Sequence, residues 1–219
     1  MNYLSNVEVE PTTDATATVI WLHGLGANGH DFEPIVPELN LPQDLAIRFV
    51  FPHSPSIAVT INGGMVMPAW YDIMDMSIDR KVDLQHLNAS AKAIQALIDR
   101  EIERGIEANR IILAGFSQGG AVAYQAALTY NQPLAGLLVM STYFATKETI
   151  QIDDSNKYLN INIMHGSLDP VVDPLLGEQA LETLINKGFQ PSYKHYPMQH
   201  CVCAEQISDI SDWLQACLN

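Results

Sequence analysis

Arg110-Ile111-Ile112-Leu113-Ala114-Gly115-Phe116-Ser117-Gln118-Gly119-Gly120-Ala121-Val122-Ala123 is the stretch whose reading decides the fold. A short apolar run leads into Gly-x-Ser-x-Gly, and a run of small, helix-favouring residues leads out. Strand, tight turn and helix with a serine at the apex is the sequence form of a nucleophile elbow. The turn is strained, and a side chain at Gly115 or Gly119 would collide with the neighbouring strand and helix. The helix starts at the serine, so its N-terminal dipole favours negative charge developing there. A bare Gly-x-Ser-x-Gly occurs by chance and reads as an ordinary glycine turn. The flanking strand and helix favour the functional reading.

Outward from the elbow, apolar runs at 17–23, 45–51, 110–115, 135–140, 161–165 and 192–196 read as strands. Several are almost continuous in apolar residues, as strands buried on both faces must be. Helical patterns fill the gaps. Leu84, Leu87, Ala91, Ile94, Ile98 and Ile102 recur at three- and four-residue spacing until Gly105. Residues 119–130, 173–187 and 203–218 read as further helices. Alternating strands and helices predict an α/β fold with a mostly parallel central sheet flanked by helices on both faces, here as one domain over 1–219. Sites in such sheets lie at the carboxyl ends of the strands. Residues 52–77 fit neither period and read as a long functional loop.

A serine needs a base at neutral pH, and the base needs an acid to orient it. After an elbow the chain order is serine, acid, histidine. His195 lies within an alternating strand run and reads as a surface residue. His200 lies in the loop after that strand, at its carboxyl end, and is the candidate base. Asp169 follows the run 161–165 and is the candidate acid. Its competitor Asp173 precedes Pro174-Leu175-Leu176 and reads as a helix N-cap.

The first strong strand runs into His23-Gly24-Leu25-Gly26-Ala27-Asn28-Gly29, which satisfies the dinucleotide fingerprint G-x-G-x-x-G from Gly24 to Gly29. That raises a rival, a nucleotide-dependent oxidoreductase. Pro34 and Pro37 interrupt the helix the fingerprint needs. Phe51-Pro52-His53 stands where a ribose-binding acid should close the second strand. An oxyanion loop is the better reading. Two backbone N–H donors are required; Gln118, the residue after the serine, supplies one, and Leu25 is placed to supply the other.

Hydrophobic residues are 47% of the 219 and charged residues 16%, enough apolar material for a large core. The formal net charge of −14 opposes nucleic acid and anionic bilayers, so neither nucleic-acid binding nor stable membrane association is expected. Three cysteines, Cys201, Cys203 and Cys217, without a secretory pattern at the N-terminus point to reduced thiols and a cytoplasmic setting. Zinc-ligand spacing is absent, and neither a metal nor an organic cofactor is expected.

His23-Gly-Leu-Gly26, Pro68-Ala-Trp70-Tyr-Asp72, Gly115-Phe-Ser-Gln-Gly-Gly-Ala121, His165-Gly-Ser-Leu-Asp169 and Met198-Gln-His200 resemble, in order and spacing, the phospholipase/carboxylesterase family of α/β-hydrolases, which includes the acyl-protein thioesterases. The resemblance covers nearly the whole chain. It implies Ser117, Asp169 and His200 as a catalytic triad and Leu25 and Gln118 as oxyanion donors. It also implies the 65–70 loop, with Met65 and Trp70, as part of an acyl pocket. The family often carries Asp where Ala27 stands and Gly where Gln199 stands. The implied activity is hydrolysis of carboxylic esters through an acyl-enzyme on Ser117, with acyl-protein thioesterase or lysophospholipase action on the same residues as alternatives. Methionines adapt to irregular apolar shapes, so Met65, Met67, Trp70 and Met74 suggest a wall that takes short and medium acyl chains. The expected partner is a small ester or acyl-thioester substrate, and the expected assembly is a monomer or weak homodimer.

Overall fold

The computed structural model describes residues 3–75, 77 and 80–219. Seven strands form one sheet: β1 (Asn6–Val9), β2 (Ala17–Leu22), β3 (Ile47–Pro52), β6 (Ile111–Phe116), β7 (Gly136–Met140), β8 (Ile161–Gly166) and β9 (Ser192–Tyr196). Their spatial order is β1-β3-β2-β6-β7-β8-β9, parallel throughout except that β1 runs antiparallel to β3 at one edge. β4 (Ser56–Val59) and β5 (Met65–Pro68) make a separate antiparallel hairpin. The helices are α1 (Ile35–Glu38), α2 (Leu84–Glu103), α3 (Gln118–Leu128), α4 (Pro174–Asn186) and α5 (Ala204–Leu218).

The strands are apolar in nearly every position because successive side chains enter two different cores. Ile20, Leu22, Leu113, Leu137 and Ile163 pack with residues of α2, α3 and α4 on one face. Val19, Trp21, Ile112, Leu138 and Met164 pack with α1 and α5 on the other. α3 is almost wholly buried, which explains its alanines and glycines: it lies too close to sheet and α2 for larger side chains. α2 is N-capped by the Asp83 carboxylate, which accepts from the Gln85 and His86 N–H groups. Leu84, first in the apolar pattern, is exposed at its first turn.

One expectation is corrected, and one strand was not anticipated. Residues 52–77 are not simply loop. Val59 opposes Met65 and Ser56 opposes Pro68 in the hairpin, whose turn is carried by Gly63 and Gly64 at positive φ. β1 gave no apolar signal, because its four residues are half-buried at an edge, with Glu8 between Val7 and Val9 and Glu10 just beyond.

Those glutamates belong to an ion network joining β1, β3 and α2. The Glu101 side chain is fully buried and accepts from Arg48 (2.8 Å), Arg100 (2.9 Å), Arg104 (3.0 Å) and the Thr18 hydroxyl (3.1 Å). Glu8 and Glu10 close it from outside. Burial raises the Glu101 pKa, but the three guanidinium groups outweigh it and hold the carboxyl below the usual glutamate range.

The chain leaves β2 towards β3 on one side and returns as β6 on the other, so the order in which strands are laid down reverses between β2 and β6. The loops after these strands flank a topological switch point, where open α/β sheets bind ligands.

Candidate active site

Ser117 sits between β6 and α3 with φ 53° and ψ −121°, a conformation that costs a non-glycine residue about 1–3 kcal/mol. Its surroundings hold it there. The Ser117 N–H donates to the Met140 carbonyl at 2.9 Å, and the Thr142 hydroxyl donates to the Ser117 carbonyl at 2.6 Å. A methyl on Gly115 would lie 2.6 Å from the Gly119 carbonyl oxygen, and one on Gly119 would lie 2.5 Å from that of His23. The two motif glycines therefore allow β6, α3 and the β2 loop to close on the serine.

Gly166 of β8 pairs with Tyr196 of β9, and the loops after them stay together: Ser167 N–H donates to the Tyr196 carbonyl and Leu168 N–H to that of Met198. This brings Asp169 to His200. Asp169 Oδ2 lies 2.7 Å from His200 Nδ1, and His200 Nε2 lies 2.9 Å from Ser117 Oγ. The other carboxylate oxygen accepts from the Val171 and Val172 N–H groups at 2.8 and 2.9 Å. Burial pushes the Asp169 pKa up, but the hydrogen bonds from His200, Val172 and Val171 more than offset it, and the carboxyl stays below its ordinary range. The Phe116 ring packs against the imidazole, centroids 4.7 Å apart. Asp173 caps α4 through the Leu175 N–H, and His195 is bonded to the Tyr193 hydroxyl on the outer strand. Both take the places expected of them.

A cavity of about 240 Å³ opens beside the serine. Ser117, His200, Leu25 and Gln118 line it, with Ile73, Phe116, Tyr143, Val171 and Val172 as its apolar wall. The two residues expected to donate to an oxyanion thus share one cavity with serine and histidine.

Met65 and Trp70 are placed otherwise than expected. Met65 is 63% exposed on the hairpin, and Trp70 is buried behind the cavity; neither is part of its wall. β5 faces its side chains outward at Met65 and Val66, while the chain after it turns under the β2 loop as a brace. Trp70 Nε1–H donates to the His23 carbonyl at 2.8 Å, and the Gly26 N–H donates to the Pro68 carbonyl at 2.8 Å. The His23 ring donates from Nδ1 to the Gly24 carbonyl and accepts at Nε2 from the Ser54 N–H. Burial pushes its pKa below the ordinary imidazole value.

The wall itself was not read from the sequence. Tyr143 lies just past β7 and Val171-Val172 just past Asp169, so strand-end position was the available signal. Ile73, between the hairpin and α2, carried none. The fingerprint Gly24–Gly29 opens no continuous helix: α1 is four residues long and begins only after Pro34.

A line of carboxylate, imidazole and hydroxyl can pass a proton from the serine as it attacks a carbonyl. Among the described residues, no group of three His, Cys, Asp or Glu side chains could hold a metal ion, and no helix is long and apolar enough to cross a membrane.

Known proteins give a consistent picture. The chain is 38% identical to acyl-protein thioesterase 1 of Neurospora crassa, over 91% of this chain and 86% of that one. It is 34% identical to acyl-protein thioesterase 1 of Cryptococcus neoformans over 98% of each. The crystal structure of Zea mays acyl-protein thioesterase 2 superposes with a TM-score of 0.86 at 27% identity, covering 99% of this chain and all of that one. The sequence profile of the phospholipase/carboxylesterase family matches residues 5–218, and this chain, a carboxylic ester hydrolase with an α/β-hydrolase fold, belongs to that family.

Proposed function

We propose that the protein hydrolyses carboxylic esters and thioesters of short and medium acyl chains through an acyl-enzyme on Ser117. The observation that carries this is the unbroken hydrogen-bonded line Ser117–His200–Asp169 at the edge of an apolar cavity. His200 takes the serine proton as Oγ attacks the acyl carbon. The Leu25 and Gln118 N–H groups stabilise the oxyanion. His200, now an imidazolium steadied by Asp169, gives its proton to the departing alcohol or thiol. A water activated by the same ring then releases the acid and restores the serine.

The wall of Ile73, Phe116, Tyr143, Val171 and Val172 rewards each buried methylene with ~0.8 kcal/mol. Butyryl to octanoyl esters should therefore surpass acetyl in kcat/KM. Relatives that bear the name acyl-protein thioesterase support a thioester arm, which needs no group beyond these. The test is Ser117→Ala together with organophosphonate labelling of the native protein. Hydrolysis should vanish in the variant and the label should sit on Ser117; a label on another serine overturns the assignment.

A further inference from the structure

Directly behind Asp169 lies His165, the penultimate residue of β8, with no solvent exposure. Its Nε2 lies 3.0 Å from the Val172 carbonyl. A carbonyl only accepts, so Nε2 bears the proton. The same nitrogen is 3.6 Å from Asp169 Oδ2, the oxygen that faces His200. Nδ1 is buried and has no hydrogen-bond partner among the described residues. It faces α4 at Gly177, where a methyl group would lie 2.6 Å from Nδ1 and 2.9 Å from the Tyr193 hydroxyl. Burial lowers the ring's pKa below the ordinary imidazole value, so it is uncharged at neutral pH.

Val172 is held at both ends: its N–H by Asp169 Oδ1, its carbonyl by the His165 ring. The peptide before it is aligned as well, because Arg80 donates to the Val171 carbonyl at 2.6 Å. The tight turn 169–172 thus presents the carboxylate from a frame that His165 anchors from inside the core and Arg80 from outside. Leaving a buried nitrogen unsatisfied is unfavourable, and a purely structural site would be filled as well by an apolar residue. We propose that His165 is a positioning residue for Asp169: its ring fixes the turn 169–172 and so sets the distance and angle at which the carboxylate meets His200. This rests on the reading of Asp169 as the catalytic acid.

The experiment compares His165→Leu, His165→Gln, Asp169→Asn and the double variant His165→Leu/Asp169→Asn, with p-nitrophenyl butyrate as substrate and thermal unfolding as the folding control. Misplacing an aligned group by about 1 Å can cost on the order of 10²-fold in rate. His165→Leu should lower kcat at least about 10-fold with KM within about 2-fold, as expected when the hydrogen bond that fixes the turn carrying an aligned group is removed. His165→Gln keeps an N–H donor near the Nε2 position and should restore kcat to within about 3-fold of the native value. In the Asp169→Asn background, adding His165→Leu should change kcat by less than about 2-fold, because its effect runs through the acid. Should His165→Leu fail to fold, Gly177→Ala carries the test: its methyl displaces the ring, and its loss of kcat should likewise disappear in the Asp169→Asn background. Unchanged kcat in the folded His165→Leu protein, no rescue by Gln, or a loss that adds in full to that of Asp169→Asn overturns the proposal. A mild effect of Asp169→Asn itself would instead sink the underlying choice of acid.

Discussion

The Gln118 side chain is tied to the chain around Trp70: its Oε1 accepts from the Trp70 N–H at 2.9 Å, and its Nε2 donates to the Tyr71 carbonyl at 2.7 Å. Gln118 follows the serine and is buried, so both amide ends are satisfied and the rotamer is fixed. The same segment supports the β2 loop through Trp70 and the His23 carbonyl. One short stretch of chain therefore aligns both proposed oxyanion donors.

Gln118→Ala leaves the backbone donor at 118 in place but strands a buried N–H and a buried carbonyl, each costing about 1–3 kcal/mol. The variant should unfold at lower temperature and lose kcat about 10-fold or more as the brace loosens. Native Tm and kcat, measured by calorimetry and ester hydrolysis, would show that the tie is unimportant.

Trp70→Phe keeps most of the buried volume and removes the indole donor to the His23 carbonyl. Since Trp70 stands behind the cavity, kcat should fall several-fold while the ranking of acyl lengths stays the same. A ranking altered with kcat intact would place the indole in contact with substrate.

Ala27 lines the cavity near its mouth and is half-exposed, so a larger side chain there can enter without disturbing the core. Ala27→Leu should lower kcat/KM for octanoyl esters at least about fivefold and leave acetyl esters unaffected, roughly the effect of one or two lost methylene contacts. An equal loss for all chain lengths would place the acyl group elsewhere.

Glu101 predicts an acid limit to stability. Its carboxyl is depressed in the folded chain, so the folded state binds fewer protons than the unfolded one near the ordinary pKa. Its contribution is full above about pH 4.5 and is lost as the pH falls through the depressed value. Glu101→Gln removes the shared partner of three arginines and should destabilise by about 3–5 kcal/mol at neutral pH. Urea midpoints measured between pH 3 and 8 should show a steeper acid decline in the native protein than in the variant. Parallel curves would disprove the assignment.

Much of this architecture was legible because its signals are local and redundant. Five sheet strands announced themselves as apolar runs and β9 by its alternation, and the elbow as glycines bracketing a serine between strand and helix. Chain order and position at strand ends single out Asp169 and His200 as candidates, and in the structure the imidazole lies 2.7 Å from Asp169 and 2.9 Å from Ser117. What escaped depends on contacts that composition does not encode. Met65 and Val66 carry the same apolar character as core residues, yet a hairpin turns them to solvent. Trp70 has the chemistry of a pocket wall, but its indole N–H is engaged by a carbonyl 47 positions earlier in the chain. No periodicity reports such pairings. β1 was missed because a four-residue, half-buried edge strand with Glu8 at its centre offers too short a pattern to read, the partners of Glu8 being arginines at the far end of α2.

The parallel sheet also has a temporal consequence. Ser117 and His200 are 83 residues apart, and the strand that carries His200's loop is the last to be made and lies at the edge of the sheet. Pairings this distant form slowly and late. On the proposed mechanism, a chain emerging from the ribosome thus holds its serine long before it holds a base to activate it. The same mechanism predicts a nascent polypeptide inert towards esters until β9 and α5 dock, and the appearance of hydrolysis during refolding should track that final docking rather than the earlier collapse of the core.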